Sequence, residues 1–263
     1  MSAEPLHRSY LHFSELPTSL RVLYTAVLAL MGAGYLFAVI YLYHSHSGRD
    51  GDPTTLSYDD VVIAYSGSGQ GSKIEAALRG PMAAMLPAEE SKSIISWVQQ
   101  GADRAQYESE LKAVLEKRCA SCHDGSNPHL SNLVGFDNVK KTTEQDTGTD
   151  VFTLVRVSHI HLFGMTFIFV IMGQIFSHAY VRPVWFKSFV VVLPFIAITL
   201  DVSSWYFTKI YKPFGWVVML GGALMALSFT FMGAVSMYQL WFGKTPPAVV
   251  QRGRQGDQRL AGL

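Results

Sequence analysis

The chain has 263 residues, 21 of them Lys or Arg and 20 Asp or Glu, for a formal net charge of +1. That balance excludes a nucleic-acid footprint, which needs a strong basic excess. With 49% hydrophobic and only 16% charged residues, the composition points to a membrane protein that still keeps enough polar sequence for a domain in water.

In chain order, the first apolar run is LRVLYTAVLALMGAGYLFAVIYLYH, about 20 to 44. It reaches the roughly 20 residues that a helix needs to cross a bilayer. Its apolar core is longer than that of a signal peptide, and YHSHSGRD offers no small-x-small cleavage site, so it reads as an uncleaved anchor. SGRDGDPTT reads as a linker and YSGSGQGS as a turn region. GPMAAMLP follows, with Met82 and Met85, and Pro87 two residues beyond Met85. Two helices are then expected, EESKSIISWVQQGA and YESELKAVLEKR, joined by the short GADRAQ. The second carries Leu111, Val114 and Leu115 on one face.

That helix runs into CASCH, where Cys119 and Cys122, the only cysteines, are followed directly by His123. A C-x-x-C pair serves as a redox disulfide, as half of a zinc site or, with the histidine, as a haem c attachment sequence. Zinc needs further soft ligands, and no second pair lies nearby. A dithiol oxidoreductase wants a strand before the motif, where this chain has a charged amphipathic helix. In the haem reading every element has a purpose: the thiols add across porphyrin vinyl groups and His123 coordinates iron. One covalent haem c is therefore expected. NPHLSNLVGFDN follows, with Pro128 and Leu130 placed to lie against a porphyrin edge; His129 ranks low as a distal ligand because it is so close to His123.

Three more spans are expected at 154 to 180, 184 to 207 and 214 to 242, with Tyr and Trp at their ends. The expected outer ends of the first two spans hold histidine pairs, His44 with His46 and His159 with His161. One histidine from each helix would suit a haem b or a metal ion, while the bland alternative is hydrogen bonding at a wet interface. His178 stands alone near the other end of the second span, and the third and fourth spans lack histidine, so no second transmembrane haem is expected there. Asp201, in TLDVSSWY, is a candidate catalytic base for a quinol hydroxyl, set against pairing with Arg156 or capping backbone. Gly32, Gly34, Gly221, Gly222 and Gly233 read as close helix packing.

Short-loop charges set the orientation. With the N-terminus inside, Arg8, Arg21, Arg182, Lys187, Lys244, Arg252, Arg254 and Arg259 fall inside, against Lys209 and Lys212 in the short outer loop. The expected organisation is a cytoplasmic tail and first span (1–45), a periplasmic haem domain (46–152), spans two to four (153–243) and a mobile basic cytoplasmic tail (244–263), in a bacterial inner membrane. The fold class is mostly α.

From GPMAAMLP through EESKSIISWVQQGA and YESELKAVLEKR to CASCH, over roughly residues 70 to 136, the sequence resembles a circularly permuted cytochrome c. In ordinary monohaem cytochromes c the attachment motif comes first and the methionine loop and final aromatic-bearing helix come later. The resemblance implies Met85 as distal iron ligand, with Met82 as the alternative, opposite His123. It implies a membrane-bound electron-transfer subunit more than an independent catalyst. Partners would be other membrane subunits of a respiratory or photosynthetic redox complex and a periplasmic or membrane electron donor or acceptor. A second reading is a quinol-oxidising subunit using His159, His161 and Asp201. A third, a haem-based sensor or assembly factor, lacks an output domain.

Overall fold

The computed structural model describes residues 10–52, 54–69, 71–127 and 130–252. Pro128, His129, Arg8, Arg254 and Arg259 lie outside the described residues. Four helices are long and apolar enough to cross a membrane: α1 (Thr18–His46), α8 (Val151–Phe176), α9 (Val184–Thr208) and α10 (Gly215–Trp241). Their mean hydropathies lie between 1.7 and 2.0. The protein is thus an integral membrane protein. Of the apolar window of α1, 6% is buried within the chain against 33% of that of α9.

Between α1 and α8 the chain forms α2 (Tyr58–Ser66), α3 (Lys73–Arg79), α4 (Ala88–Gln99), α5 (Arg104–Gln106), α6 (Lys112–Arg118) and α7 (Phe136–Thr142). A π-helical segment, Tyr107–Leu111, makes α5 and α6 one continuous helical run. Among the described residues there is no strand; one isolated antiparallel bridge pairs Ser72 with Gln145. The starts of α2 and α3 follow from local chemistry. Ser57 accepts from the Asp60 N–H while Asp60 accepts from the Ser57 N–H, and Ser72 with Glu75 repeats this reciprocal cap.

The chain divides into two compact units. One comprises residues 1–37, 158–201 and 220–263. Its core includes Phe169, Met172, Phe176, Phe229 and Met232, with Tyr35 stacked on Phe229 at 4.5 Å. A Cβ at Gly221 would lie 2.9 Å from the Asp201 Cβ and 3.3 Å from the Ala197 carbonyl, so α10 meets α9 backbone to backbone there. Gly233 touches Met172 at ordinary distance, whereas Gly32, Gly34 and Gly222 face open space. Close packing therefore explains Gly221 and not all five glycines. In the same unit Phe13 is fully buried, and Arg252 reaches both Glu15 and the Tyr10 carbonyl.

The other unit comprises residues 38–157 and 202–219. Its core is built from Ile74, Leu78, Ile94, Trp97, Tyr107, Leu111, Leu115 and Val139. Trp97 and Tyr107 hold α4 against the run from α5 to α6, with ring centroids 6.1 Å apart, and the Trp97 indole N–H donates to the Asp103 carbonyl at 2.8 Å. The two helices expected from the sequence are both present and packed on each other. Helices α2, α3 and α7 are additions that the sequence pattern did not disclose.

The described residues of the stretch that reads as a linker are tied by hydrogen bonds. Asp50 accepts from the Asp52 N–H and the Ser57 hydroxyl, Asp60 accepts from the Asp50 N–H, and the Tyr43 hydroxyl donates to the Thr54 carbonyl. On the return side, Gly67 and Gly148 pass so closely that a Cβ at either would fall 2.2 to 2.3 Å from a backbone oxygen of the other segment. Both have φ in the left-handed region, which only glycine adopts at no steric cost.

Candidate functional site

Helix α6 ends at Cys119, whose N–H donates to the Leu115 carbonyl at 2.8 Å. The chain then turns, with the N–H groups of Cys122 and His123 both donating to the Cys119 carbonyl. A single turn thus carries both thiols and the imidazole. The thiols are free; Cys119 is half-buried and Cys122 exposed. Burial pushes the Cys119 thiol pKa up, and the nearby Glu90 carboxylate adds to this. Glu90 is itself held by two bonds from the Arg118 guanidinium at 3.0 and 3.1 Å, fixing the start of α4 beside the motif.

His123 is oriented. Its Nδ1 lies 2.7 Å from the Ser131 carbonyl oxygen, which can only accept, so Nδ1 donates and, in the neutral ring, Nε2 is the nitrogen with the lone pair. A backbone acceptor on one ring nitrogen is how proteins orient a histidine that ligates a metal through the other. The Leu133 N–H donates back to the His123 carbonyl at 2.9 Å, so residues 123 and 131–133 hold each other twice. Ser131 carries no signal of this role at the level of residue type, because the group it contributes is its backbone.

Cys119, Met82, Leu86, Leu133 and Phe136 are each partly buried and packed against the core. Met85 is 66% exposed, Val134 43% and Leu130 39%. Met82 is the more tied of the two methionines: its N–H donates to the Ala77 carbonyl and its side chain packs on the core, while Met85 is anchored only through its backbone, to the Met82 carbonyl. These residues fit a covalently held porphyrin: two free thiols and an oriented imidazole on one turn.

The remaining candidates are spread over both units. His44 is exposed and its ring meets Tyr43 edge-on at 5.6 Å. His46 is half-buried, with Nδ1 donating to the Leu42 carbonyl of its own helix at 3.2 Å. His159 and His161 are both exposed on α8, and His159 packs on Phe163 at 5.3 Å. Asp201 is 9% exposed and lies under Gly221. His178 donates from Nδ1 to the Leu11 carbonyl, which gives it a structural partner. Among the described residues no three His, Cys, Asp or Glu side chains group as a metal-ion site.

Residues 150–247, which contain α8 to α10, match a protein family described as a transmembrane helical domain. Neither the curated proteins nor the solved structures contain a match to the chain. The chain is an integral membrane protein whose last three spans are similar to that family and whose CASCH motif lies outside the matched region.

Proposed function

We propose that the protein is a membrane-anchored monohaem c-type cytochrome that carries electrons at the outer face of a bacterial inner membrane, within a larger redox complex. The observation that carries this reading is the turn at the end of α6, where Cys119, Cys122 and His123 lie together and the Ser131 carbonyl holds the His123 ring with Nε2 free to ligate. When bound, haem c supplies a one-electron iron couple. The chain's part is to hold the group through two thioethers, to present one imidazole, and to border it with Met82, Leu86 and Leu133. Met85 is the favoured distal ligand because its side chain is not committed to the core, and a Met/His pair would raise the potential into the range of an electron acceptor. The order of parts, methionine loop, Trp97 helix, then motif helix, supports the permuted cytochrome c arrangement. Four spans exceed what anchoring requires, and the additional helices would dock on other membrane subunits of the complex.

The test is chemical. The protein expressed with a haem-ligation system is denatured and extracted with acidified organic solvent. Pigment should stay with the polypeptide, and Cys119→Ala with Cys122→Ala should release it. Colour that extracts from the parent, or never forms, sinks the reading.

A further inference from the structure

A carrier domain that swings between partners needs flexible connections. This chain has the opposite, and the contacts all lie in one compact unit, residues 38–157 and 202–219. On the entry side, the Asp50, Ser57 and Asp60 hydrogen bonds order the segment leading into α2. On the exit side, Asp146 accepts from the N–H groups of Ser68 and Gly148, and the Thr149 N–H and hydroxyl both donate to the Ala64 carbonyl.

Helix α2 is then pressed on the ends of the membrane helices. Tyr58 stacks on Trp216 at 4.7 Å and 15°, and Tyr65 on Trp205 at 6.0 Å and 11°. Gly215 opens α10 at a point where a Cβ would lie 3.0 Å from both Tyr58 and Val62, so the helix start rests on α2 itself. Lys209, in the turn between α9 and α10, closes the joint. Its ammonium donates to three backbone carbonyls, Tyr65 at 2.8 Å, Thr147 at 3.0 Å and Thr149 at 2.8 Å. One cation thus ties the end of α2 and the return segment to the α9–α10 turn.

We propose that the inserted domain is bolted to the ends of α9 and α10 that share its unit, residues 202–219, and works as a fixed electron station, to which redox partners come, rather than as a swinging carrier. The electron-station half rests on the haem reading; the bolt does not. Ketone-bearing residues placed at the exposed positions 100 and 212 accept oxime spin labels without touching the thiols, and pulsed dipolar spectroscopy on the full chain in lipid nanodiscs reads their separation. A single narrow distribution in the parent, broadened in Lys209→Met combined with Tyr58→Ala and Tyr65→Ala, supports the bolt. A broad distribution in the parent overturns it, as does a triple variant as narrow as the parent. Pigment retention on the same samples reports the haem reading separately, so either half can fail alone.

Discussion

Replacing Lys209 with methionine keeps the length of the side chain and removes its charge. A hydrogen bond from a charged donor contributes about 1.5–3 kcal/mol, so three would give about 4.5–9 kcal/mol if they added. They do not add, because one ammonium serves all three carbonyls and the residue is only half-buried, so water replaces part of what is lost. Burial also lowers the Lys209 pKa, opposed by Asp146 and Asp150, which shows that the native charge already carries a desolvation cost. About 2–3 kcal/mol remains, which at 1.4 kcal/mol per tenfold is a rise of about 30- to 150-fold in local opening. Hydrogen exchange followed by mass spectrometry reads this directly. Peptides holding the Thr149 amide, bonded to Ala64, and the Gly67 amide, bonded to Ile63, should exchange faster by that factor. The α4 peptide should not change. Unaltered exchange at Thr149 and Gly67, or an equal acceleration in α4, would refute the assignment of Lys209 as a local fastener.

Met85→Ala should lower the haem potential by on the order of 0.1 V, within the roughly 0.8 V range that axial ligation spans, while Met82→Ala should cost stability instead; a redox titration that ranks them the other way reverses the ligand assignment. Gly221→Val should destabilise by about 1–3 kcal/mol because its Cβ would meet the Asp201 Cβ and the Ala197 carbonyl, whereas Gly222→Val, with nothing near, should be close to neutral. Thermal midpoints in detergent compare the two, and equal shifts would contradict the packing. His12 is 1% exposed, and burial holds its pKa below 6.5, with Lys187 and His178 acting the same way and the Gln239 hydrogen bond and Glu15 opposing. The unfolded chain therefore binds more protons, so stability should fall as pH drops below about 6.5, and His12→Gln should flatten that slope. Parallel slopes in thermal midpoint for parent and variant would remove His12 from the account.

The membrane spans were legible because runs of about 20 apolar residues leave little freedom: the run at 184 to 207 became Val184–Thr208 and that at 20 to 44 became Thr18–His46. The CASCH turn was legible because its chemistry is contiguous. Helix α2 was hidden behind a stretch rich in Gly, Asp and Thr, although the Ser57-x-x-Asp60 cap was a readable signal. Helix α7 starts at Gly135 with no side-chain cap and gave none. The contacts that orient the site and fix the domain were beyond pattern reading, since Ser131 acts through its backbone and Lys209 reaches partners 60 to 144 residues away. Asp201 drew notice as a polar residue in a span, yet its place beneath a glycine of the next helix depended on which α10 residue faces it.

The pairing of Arg252 with Glu15, at 2.5 and 2.6 Å, joins residues 237 positions apart. At a synthesis rate of about 5–20 residues per second, roughly 12–47 s separate the emergence of the two groups from the ribosome. Until then Glu15 lacks this partner. The emergence of Arg252, not the insertion of the first helix, completes that contact.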